Sequence, residues 1–375
     1  MRTVEAAGLE IGDDHPPRIM GVLNVSEESP YDPSVFADSG EAAAYVDREL
    51  IAEGADIVDV GLESANKRLD VLSPEEELDR LDTAIETLES VSGEAVFSIE
   101  TRYSEVADAA LSRGFDMVND VCGFADPSMP EVCKAHDAAV VKMASPPDLE
   151  RPGALASVEG IYEALSMNGF TEKTILDPAF GGWSEEKTLD DDRETFSRLR
   201  EFRAYDRPLL VSINRKNFLR EIAGRETGEA LPVSLAATAM AVERGAHVLR
   251  THDVRETRDA ALVGREFARE RVRDPTVEEL DVTTRREAAR YLERVGGDPV
   301  LADAGVIRWF RLAELGDAYE PLAAAVADTA GVHLAGTDPT LLFGTRDGFY
   351  SLDRTVPVET GRLPTIFSKI LDDFN

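Results

Sequence analysis

Along its first 272 residues the chain repeats one pattern eight times. A short, β-branched apolar run stops on a polar residue, and a stretch with apolar positions three and four apart follows. The runs are Arg18–Val25, Asp56–Leu62, Ala95–Glu100, Met117–Cys122, Ala139–Ala144, Thr174–Phe180, Pro208–Asn214 and His247–Asp253. Each reads as a strand and each following stretch as an amphipathic helix. Eight such alternations predict an α/β protein built on a (β/α)8 TIM barrel. The helical stretches carry their own signals. In Glu41–Glu53, the residues Ala44, Tyr45, Leu50 and Ile51 share one face. Ser73–Pro74–Glu75–Glu76 reads as an N-cap with Pro at the first helical position and Glu at the third.

Residues 1–17 read as a polar lead-in closed by Pro16–Pro17, so the barrel spans 18–273. The rhythm stops at Arg273–Asp274–Pro275–Thr276. Residues 276–375 then predict a small α+β domain, with helices over Thr283–Val295 and Glu320–Ala330. Short strands are predicted over Val332–Ala335 and Leu341–Leu352, turning at Asp347–Gly348. No catalytic constellation stands out there, and His333, a lone histidine among apolar neighbours, reads as structural.

Charge changes this picture. The net charge is −33, carried with only 7 Lys against 33 Arg. Such a surface matches a halophilic protein in molar salt, where screening removes self-repulsion. The other reading is an acidic protein in ordinary salt. Both argue against nucleic acid and anionic membranes as partners. Cys122 and Cys133 form no CxxC pair, which fits a reducing cytoplasm without disulfide or zinc. The first residues lack the apolar core of a signal peptide. No window nears ~18 consecutive apolar residues, so no membrane span is predicted.

In a TIM barrel the chemistry lies at the C-terminal ends of the strands. Those ends carry Asn24, Glu63, Glu100, Asn119, Lys142, Asp177, Lys216, Arg250 and His252. Asp177 precedes Pro178, which ends the ladder with the carboxylate at the mouth. It would accept from the 2-amino and ring N–H of a guanine-like or pterin-like edge, or else pair with a base across the barrel top. Asn119 both donates and accepts, which suits a heterocycle edge, and Asp120 follows it. Glu100 ends the third strand with Ser98 on the same face. Arg250 and His252, two apart, face one way and suggest an anion site; alternatively His252 packs on Asp253. Lys216 stands out because lysine is scarce, and it would reach a ring carbonyl or a phosphate. Lys142 sits similarly, or snorkels outward.

These residues lie in segments that resemble the dihydropteroate synthase family of pterin-binding barrels. The segments are Ile19–Ser29, Gly54–Ser64, Phe97–Leu111, Met117–Gly123, Ile175–Gly181, Leu209–Leu219 and Gly245–Val254, in order across nearly the whole barrel. The resemblance implies a transferase of folate biosynthesis. It would condense 6-hydroxymethyl-7,8-dihydropterin pyrophosphate with 4-aminobenzoate, forming a C–N bond and giving dihydropteroate and pyrophosphate. It implies that Asn119, Asp177 and Lys216 grip the pterin, with Glu100 where the family has Asp, and that Met143 and Phe180 form apolar walls. It implies that Asn24, Arg250 and His252 hold the pyrophosphate, with Asn24 on Mg²⁺, and that the protein is a homodimer. Lys216, Asp177, Arg250 and His252 would carry the catalysis. Three departures stand against the pattern. Ser64–Ala65–Asn66–Lys67–Arg68 replaces the family's Ser-Thr-Arg-Pro-Gly loop, Pro30–Tyr31 replaces Phe-Ser, and Glu100 replaces Asp. Lys67 or Arg68 is a candidate for the missing guanidinium. The alternatives to a standard synthase are a non-catalytic pterin-binding paralogue and an enzyme using another arylamine.

Overall fold

The chain opens on a hairpin where its sequence predicts a polar lead-in. In the computed structural model, which describes residues 1–25, 34–63, 71–146, 152–181, 187–274, 276–356, 362–372 and 374, β1 (Val4–Ala6) pairs antiparallel with β2 (Leu9–Ile11). Ala7 and Gly8 turn the chain with φ of 47° and 86°, the sense that matches strand twist. Val4, Ala6 and Ile11 are buried against Met20, Ile57, Met117 and Val248 at the starts of the barrel strands. The hairpin therefore plugs the N-terminal end of the barrel.

The eight predicted runs each fall on one barrel strand, β5 running one residue past its run: β3 (Arg18–Asn24), β4 (Ile57–Gly61), β5 (Val96–Thr101), β6 (Met117–Asp120), β7 (Ala139–Met143), β8 (Thr174–Asp177), β9 (Leu210–Val211) and β10 (Val248–Thr251). They are parallel, in the order β8-β7-β6-β5-β4-β3-β10-β9. A bridge between Leu176 and Leu209, and a bond from the Leu176 N–H to the Pro208 carbonyl (2.9 Å), join the two ends. The fold is the TIM barrel that the alternation predicts.

Around it lie α1 (Ser39–Tyr45), α2 (Pro74–Ser90), α3 (Ser104–Leu111), α4 (Met129–Ala135), α5 (Val158–Ser166), α6 (Leu189–Ser197), α7 (Asn217–Ala223), α8 (Leu231–Glu243) and α9 (Val254–Glu266). A π-helical stretch, Val46–Ile51, continues α1. The reading of Ser73 holds: its hydroxyl accepts from the Glu76 N–H, and the Glu76 carboxylate accepts from the Ser73 N–H in return.

The pleat of the strands positions the site. Ile19, Val58, Phe97, Val118, Val140, Leu176 and Leu249 face the helices. Met20, Ile57, Val96, Met117, Val141, Ile175, Leu210 and Val248 fill the barrel's lower interior. Two residues further along the same inner faces, period two brings polar side chains upward: Asp59 after Ile57, Ser98 after Val96, Asn119 after Met117, Asp177 after Ile175 and Arg250 after Val248. The cross-strand register Asn24–Gly61–Glu100–Asn119 then sets the rim.

A short hairpin of β11 (Arg273–Asp274) and β12 (Val277–Glu278) ends the first unit, Met1–Glu278. The second unit, Glu279–Asn375, holds α10 (Arg285–Arg294), β13 (Ile307–Leu312), α11 (Tyr319–Ala327), β14 (Val332–Ala335), β15 (Thr340–Thr345), α12 (Arg346–Thr355) and α13 (Leu363–Asp372). Its antiparallel sheet runs β13-β15-β14. Two expectations are corrected here. β13, the strand at one edge, escaped the sequence reading. Residues 346–352 are helical, not strand: the Thr345 hydroxyl accepts from the Gly348 N–H and caps α12, so Asp347–Gly348 is a first helical turn. His333 is exposed on β14 with its ring 5.2 Å from Phe343.

Candidate active site

Asp59 organises the mouth. It lies mid-strand on the inner face of β4 and is fully buried. Its Oδ2 accepts from the Arg250 Nε at 2.7 Å and from the Asn119 Nδ2 at 3.0 Å. Arg250 also donates through Nη2 to the Glu100 Oε2 at 2.6 Å. One guanidinium is thus held between two carboxylates, from β4 and β5, while Asn119 is turned by the first. Asp59 Oδ1 and the Ser98 hydroxyl, neighbours in register, have no hydrogen-bond partner among the described residues. Buried polar atoms in that state are concentrated at functional sites.

Burial and crowding perturb these groups. Glu100 is lifted to about 7 by burial, against the pull of Arg250 and with like charge on Asp59, Glu63 and Asp177 adding to the rise. Asp177 rises to about 6 by burial, opposed by the Ala179 N–H on its Oδ1 (2.8 Å) and by the charges of Lys216, Arg250 and Lys187. Burial brings Lys216 down to about 8; Asp177 resists, and Arg250 adds to the fall. His252 falls to about 3 through burial and the nearby Arg250, so it is a neutral imidazole at neutral pH. It can offer an N–H to an anion but no charge. Asp253, the alternative partner of His252, makes a two-pronged pair with Arg215 (Nε and Nη2, both 2.9 Å) and accepts from Asn214, and its charge also acts on His252.

Two glycines keep this space open. A Cβ on Gly61 would stand 3.1 Å from Asn24 Oδ1 and 3.9 Å from Glu100 Oε1. Gly181, at φ +75°, lets the Lys216 stem pass where a Cβ would sit 3.0 Å from its Cδ. Asn24 itself donates to the Ser34 hydroxyl at 3.0 Å. Met143 is buried in a small apolar cluster with Val121, Ala154 and Ala179.

Other predicted residues lie elsewhere. Phe180 packs with Phe196 and Phe218 (centroids 6.2 and 6.0 Å) in the core between barrel and helices, because the turn after Pro178 sends it outward. Lys142 and Asp120 are on the outer parity of their strands. Lys142 is fully buried and donates to the carbonyls of Leu165, in the last turn of α5, and of Met167 and Gly169 beyond it, so it neither lines the mouth nor snorkels to solvent. Asp120 accepts from the Cys122 and Phe124 amides. Glu63 is engaged by Arg102 at 2.6 Å. Ser64–Arg68 and Pro30–Tyr31 lie outside the described residues.

Sequence reasoning missed Asp59 and Lys187. A carboxylate in the middle of an apolar run, two residues before a strand's last inner position, was the available signal for Asp59. Lys187 donates to the Ala179 carbonyl (2.9 Å) and pairs with Asp192 (3.4 Å). The scarcity of lysine that singled out Lys216 applied to it equally.

No described cluster of three or more His, Cys, Asp or Glu side chains could hold a metal ion. The arrangement puts the carboxylates of Asp59 and Glu100 directly on Arg250, with the Asn119 amide on Asp59. Those groups can meet a hydrogen-bonding heterocycle and an anion side by side.

The chain is similar to known proteins across the barrel. The family described as pterin binding enzyme matches residues 20–252. A dihydropteroate synthase of Neisseria meningitidis is 32% identical over 276 residues, 69% of this chain and 95% of its own. A probable bifunctional folylpolyglutamate synthase/dihydropteroate synthase of Haloferax volcanii is 33% identical over 260 residues. The match covers 65% of this chain but only 30% of the Haloferax protein. Among solved structures, the dihydropteroate synthase of Thermus thermophilus in complex with 4-aminobenzoate is 30% identical, with a TM-score of 0.58 over 71% of this chain and all of its own. That of Xanthomonas albilineans in complex with 7,8-dihydropteroate is 29% identical, with a TM-score of 0.56.

Proposed function

The chain belongs to the pterin-binding enzyme family, and from that we propose that it is a dihydropteroate synthase. It would transfer the pterin methylene of 6-hydroxymethyl-7,8-dihydropterin pyrophosphate to the amine of 4-aminobenzoate. The single observation that carries this reading is the Asp59–Arg250–Glu100 bridge with Asn119 and Asp177 around it. It gives a pterin edge its acceptors and a leaving pyrophosphate its guanidinium in one cavity.

Asp177 accepts from the pterin 2-amino group and ring N–H, and Asn119 meets the same ring edge. Lys216 faces the ring from the opposite side of Asp177 and helps orient the amine. Met143 packs on the ring. The C–O bond to pyrophosphate breaks, and its electron pair leaves with the pyrophosphate. Positive charge develops on the methylene carbon, and the carboxylates of Glu100 and Asp177 stabilise it. The arylamine nitrogen then forms the C–N bond and loses a proton. Asp59 and Glu100 occupy Arg250 Nε and one N–H of Nη2, so the pyrophosphate would take Nη1 and the second N–H of Nη2, with an N–H from His252 beside them.

Mg²⁺ fits here through Asn24. Its Oδ1 and Glu100 Oε1 both border the space over Gly61, and magnesium commonly takes one or two protein oxygens with phosphate oxygens and water. When bound, it would neutralise pyrophosphate charge. Exposed Phe267 (81%), Val263 (54%), Met240 (46%) and Leu262 (41%) on or just after α8 and α9 support a homodimer through these helices. The buried thiols of Cys122 and Cys133 support a reducing cytoplasm, and the charge of −33 supports working conditions of high salt.

Another arylamine acceptor is the second reading, and the departure at Ser64–Arg68 favours it. Mass identification of the product formed with 4-aminobenzoate tests the proposal. Dihydropteroate is expected; pterin binding with no dihydropteroate would overturn it.

A further inference from the structure

The turn after β8 touches both groups that would grip the pterin. The Ala179 N–H donates to Asp177 Oδ1 at 2.8 Å. Gly181 lies against the Lys216 stem, where a Cβ would stand 3.0 Å from its Cδ and 3.6 Å from its Nζ. Ala179 has a φ of +59°, a left-handed conformation that persists in a residue with a Cβ only where its surroundings impose it. A buried ion pair imposes it here. Lys187 donates to the Ala179 carbonyl at 2.9 Å and pairs with Asp192 at 3.4 Å, the two side chains being 1% and 2% exposed. Asp192 Oδ1 in turn accepts from the Gly181 N–H at 3.0 Å. Between those two holds, Phe180 is wedged against Phe196 of α6 and Phe218 of α7.

Helix capping explains where the pair sits but not why it is charged. Thr188 caps α6, so Lys187 stands just before the cap and Asp192 is the helix's fourth residue. Apolar side chains commonly meet across those two positions and fix the chain's entry into a helix. An apolar pair would do that without taking two charges out of water, and such a replacement often leaves stability unchanged or raised. The charges therefore serve something beyond the helix entry, and they reach both pterin groups. Lys216, Arg250 and Lys187 act on the Asp177 carboxyl, and Glu100 faces it with like charge. Asp177, Arg250, Asp192 and Lys187 act on Lys216, which itself acts on His252. Lys187 favours the ionised Asp177 and disfavours the charged Lys216. We propose that Lys187 and Asp192 are positioning residues for the pterin, holding the Ala179–Gly181 turn so that Asp177 and Lys216 keep the spacing that meets the ring. This rests on the synthase reading.

The test compares wild type with Lys187→Met, with Lys187→Arg, and with the apolar pair Lys187→Met plus Asp192→Leu. Thermal unfolding is measured, together with the dihydropterin pyrophosphate Kd from about pH 5 to about pH 9. The apolar pair should unfold within a few degrees of wild type and yet bind the pterin roughly tenfold more weakly or worse. Lys187→Met should move both limbs of the pH profile upward by roughly half a pH unit or more, because Asp177 loses a favouring cation and Lys216 a repelling one. Lys187→Arg keeps the charge and should return both limbs toward their wild-type places. Wild-type affinity in the folded apolar pair, or limbs that stay in place in Lys187→Met, would overturn the proposal and leave the pair a helix staple. If the apolar pair does not fold, the limbs of Lys187→Met decide alone. If wild type binds the pterin but forms no dihydropteroate, the synthase reading fails while these Kd values still decide the positioning role. A wild type that binds no dihydropterin pyrophosphate overturns both.

Discussion

The two ends of the barrel both bury a carboxylate among arginines and a histidine, and they use it in opposite ways. At the N-terminal end, Asp13 accepts from Arg203 Nη2 (2.8 Å), and its backbone carbonyl accepts from Arg265 and Arg273 (both 2.6 Å). His247 Nδ1 accepts from the Leu209 N–H (3.1 Å), so its Nε2 carries the proton and donates to Asp13 at 3.0 Å. Burial would raise Asp13, but His247 and Arg203 hold it well below the usual carboxylate range. At the C-terminal end, Asp177 has one backbone N–H, Glu100 has one arm of a shared arginine, and Asp59 keeps one oxygen without a described partner. There the carboxyls are held up, Asp177 to about 6 and Glu100 to about 7. At the closed end both oxygens of Asp13 are paired. The under-satisfied end is electrostatically incomplete until something binds.

That contrast breaks most visibly at Lys216. Lys216→Ala should cut dihydropteroate formation by on the order of 1000-fold while thermal unfolding stays within a few degrees of wild type. A large loss of Tm would move Lys216 to the structural side. Asp13→Ala should do the reverse. Leaving Arg203 buried without its carboxylate costs about 3–5 kcal/mol, read as a fall in Tm on the order of 10 °C, with the pterin Kd unchanged. Asp177→Asn keeps the shape of the side chain but loses the anion. Pterin Kd should weaken roughly 10–100-fold, in line with about 1.5–3 kcal/mol for a hydrogen bond to a charged group; titration calorimetry reads it directly.

The smallest effect is in pH. Pterin affinity should be greatest between about pH 6 and about 8, with Asp177 ionised and Lys216 charged. It should fall severalfold outside that window. Stability follows the sign of each shift. A carboxyl raised in the fold, like Glu100 and Asp177, contributes stability below the ordinary carboxylate range, lost as pH climbs through about 6 to 7. Asp13, lowered in the fold, contributes above that range and loses its contribution only in strong acid. The Tm advantage of wild type over Glu100→Gln should therefore shrink as pH climbs from about 5 to about 7.

The barrel was legible because strands buried on both faces read as continuous apolar runs, and eight of them in rhythm leave few other folds. The rim of the site was legible because Glu100, Asn119, Asp177 and Arg250 are last or next to last in their strands and Lys216 follows β9. Asp59 was hidden because it stands in the middle of β4, and its meaning comes from Arg250, 191 residues away. Phe180 was placed at the site by the resemblance alone; three residues past the inward Asp177 it has the outer parity, and it packs between barrel and helices. The opening hairpin is only three residues per strand, too short for its alternation to stand out beside the acidic residues that follow.

The most direct test is pyrophosphate release by the purified full chain in about 2–3 M KCl, which screens the acidic surface. It is run with dihydropterin pyrophosphate and Mg²⁺, with and without 4-aminobenzoate. The account predicts release that depends on 4-aminobenzoate and matches dihydropteroate formed one for one. Tight pterin binding with release that ignores 4-aminobenzoate, or with no release at all, would contradict it.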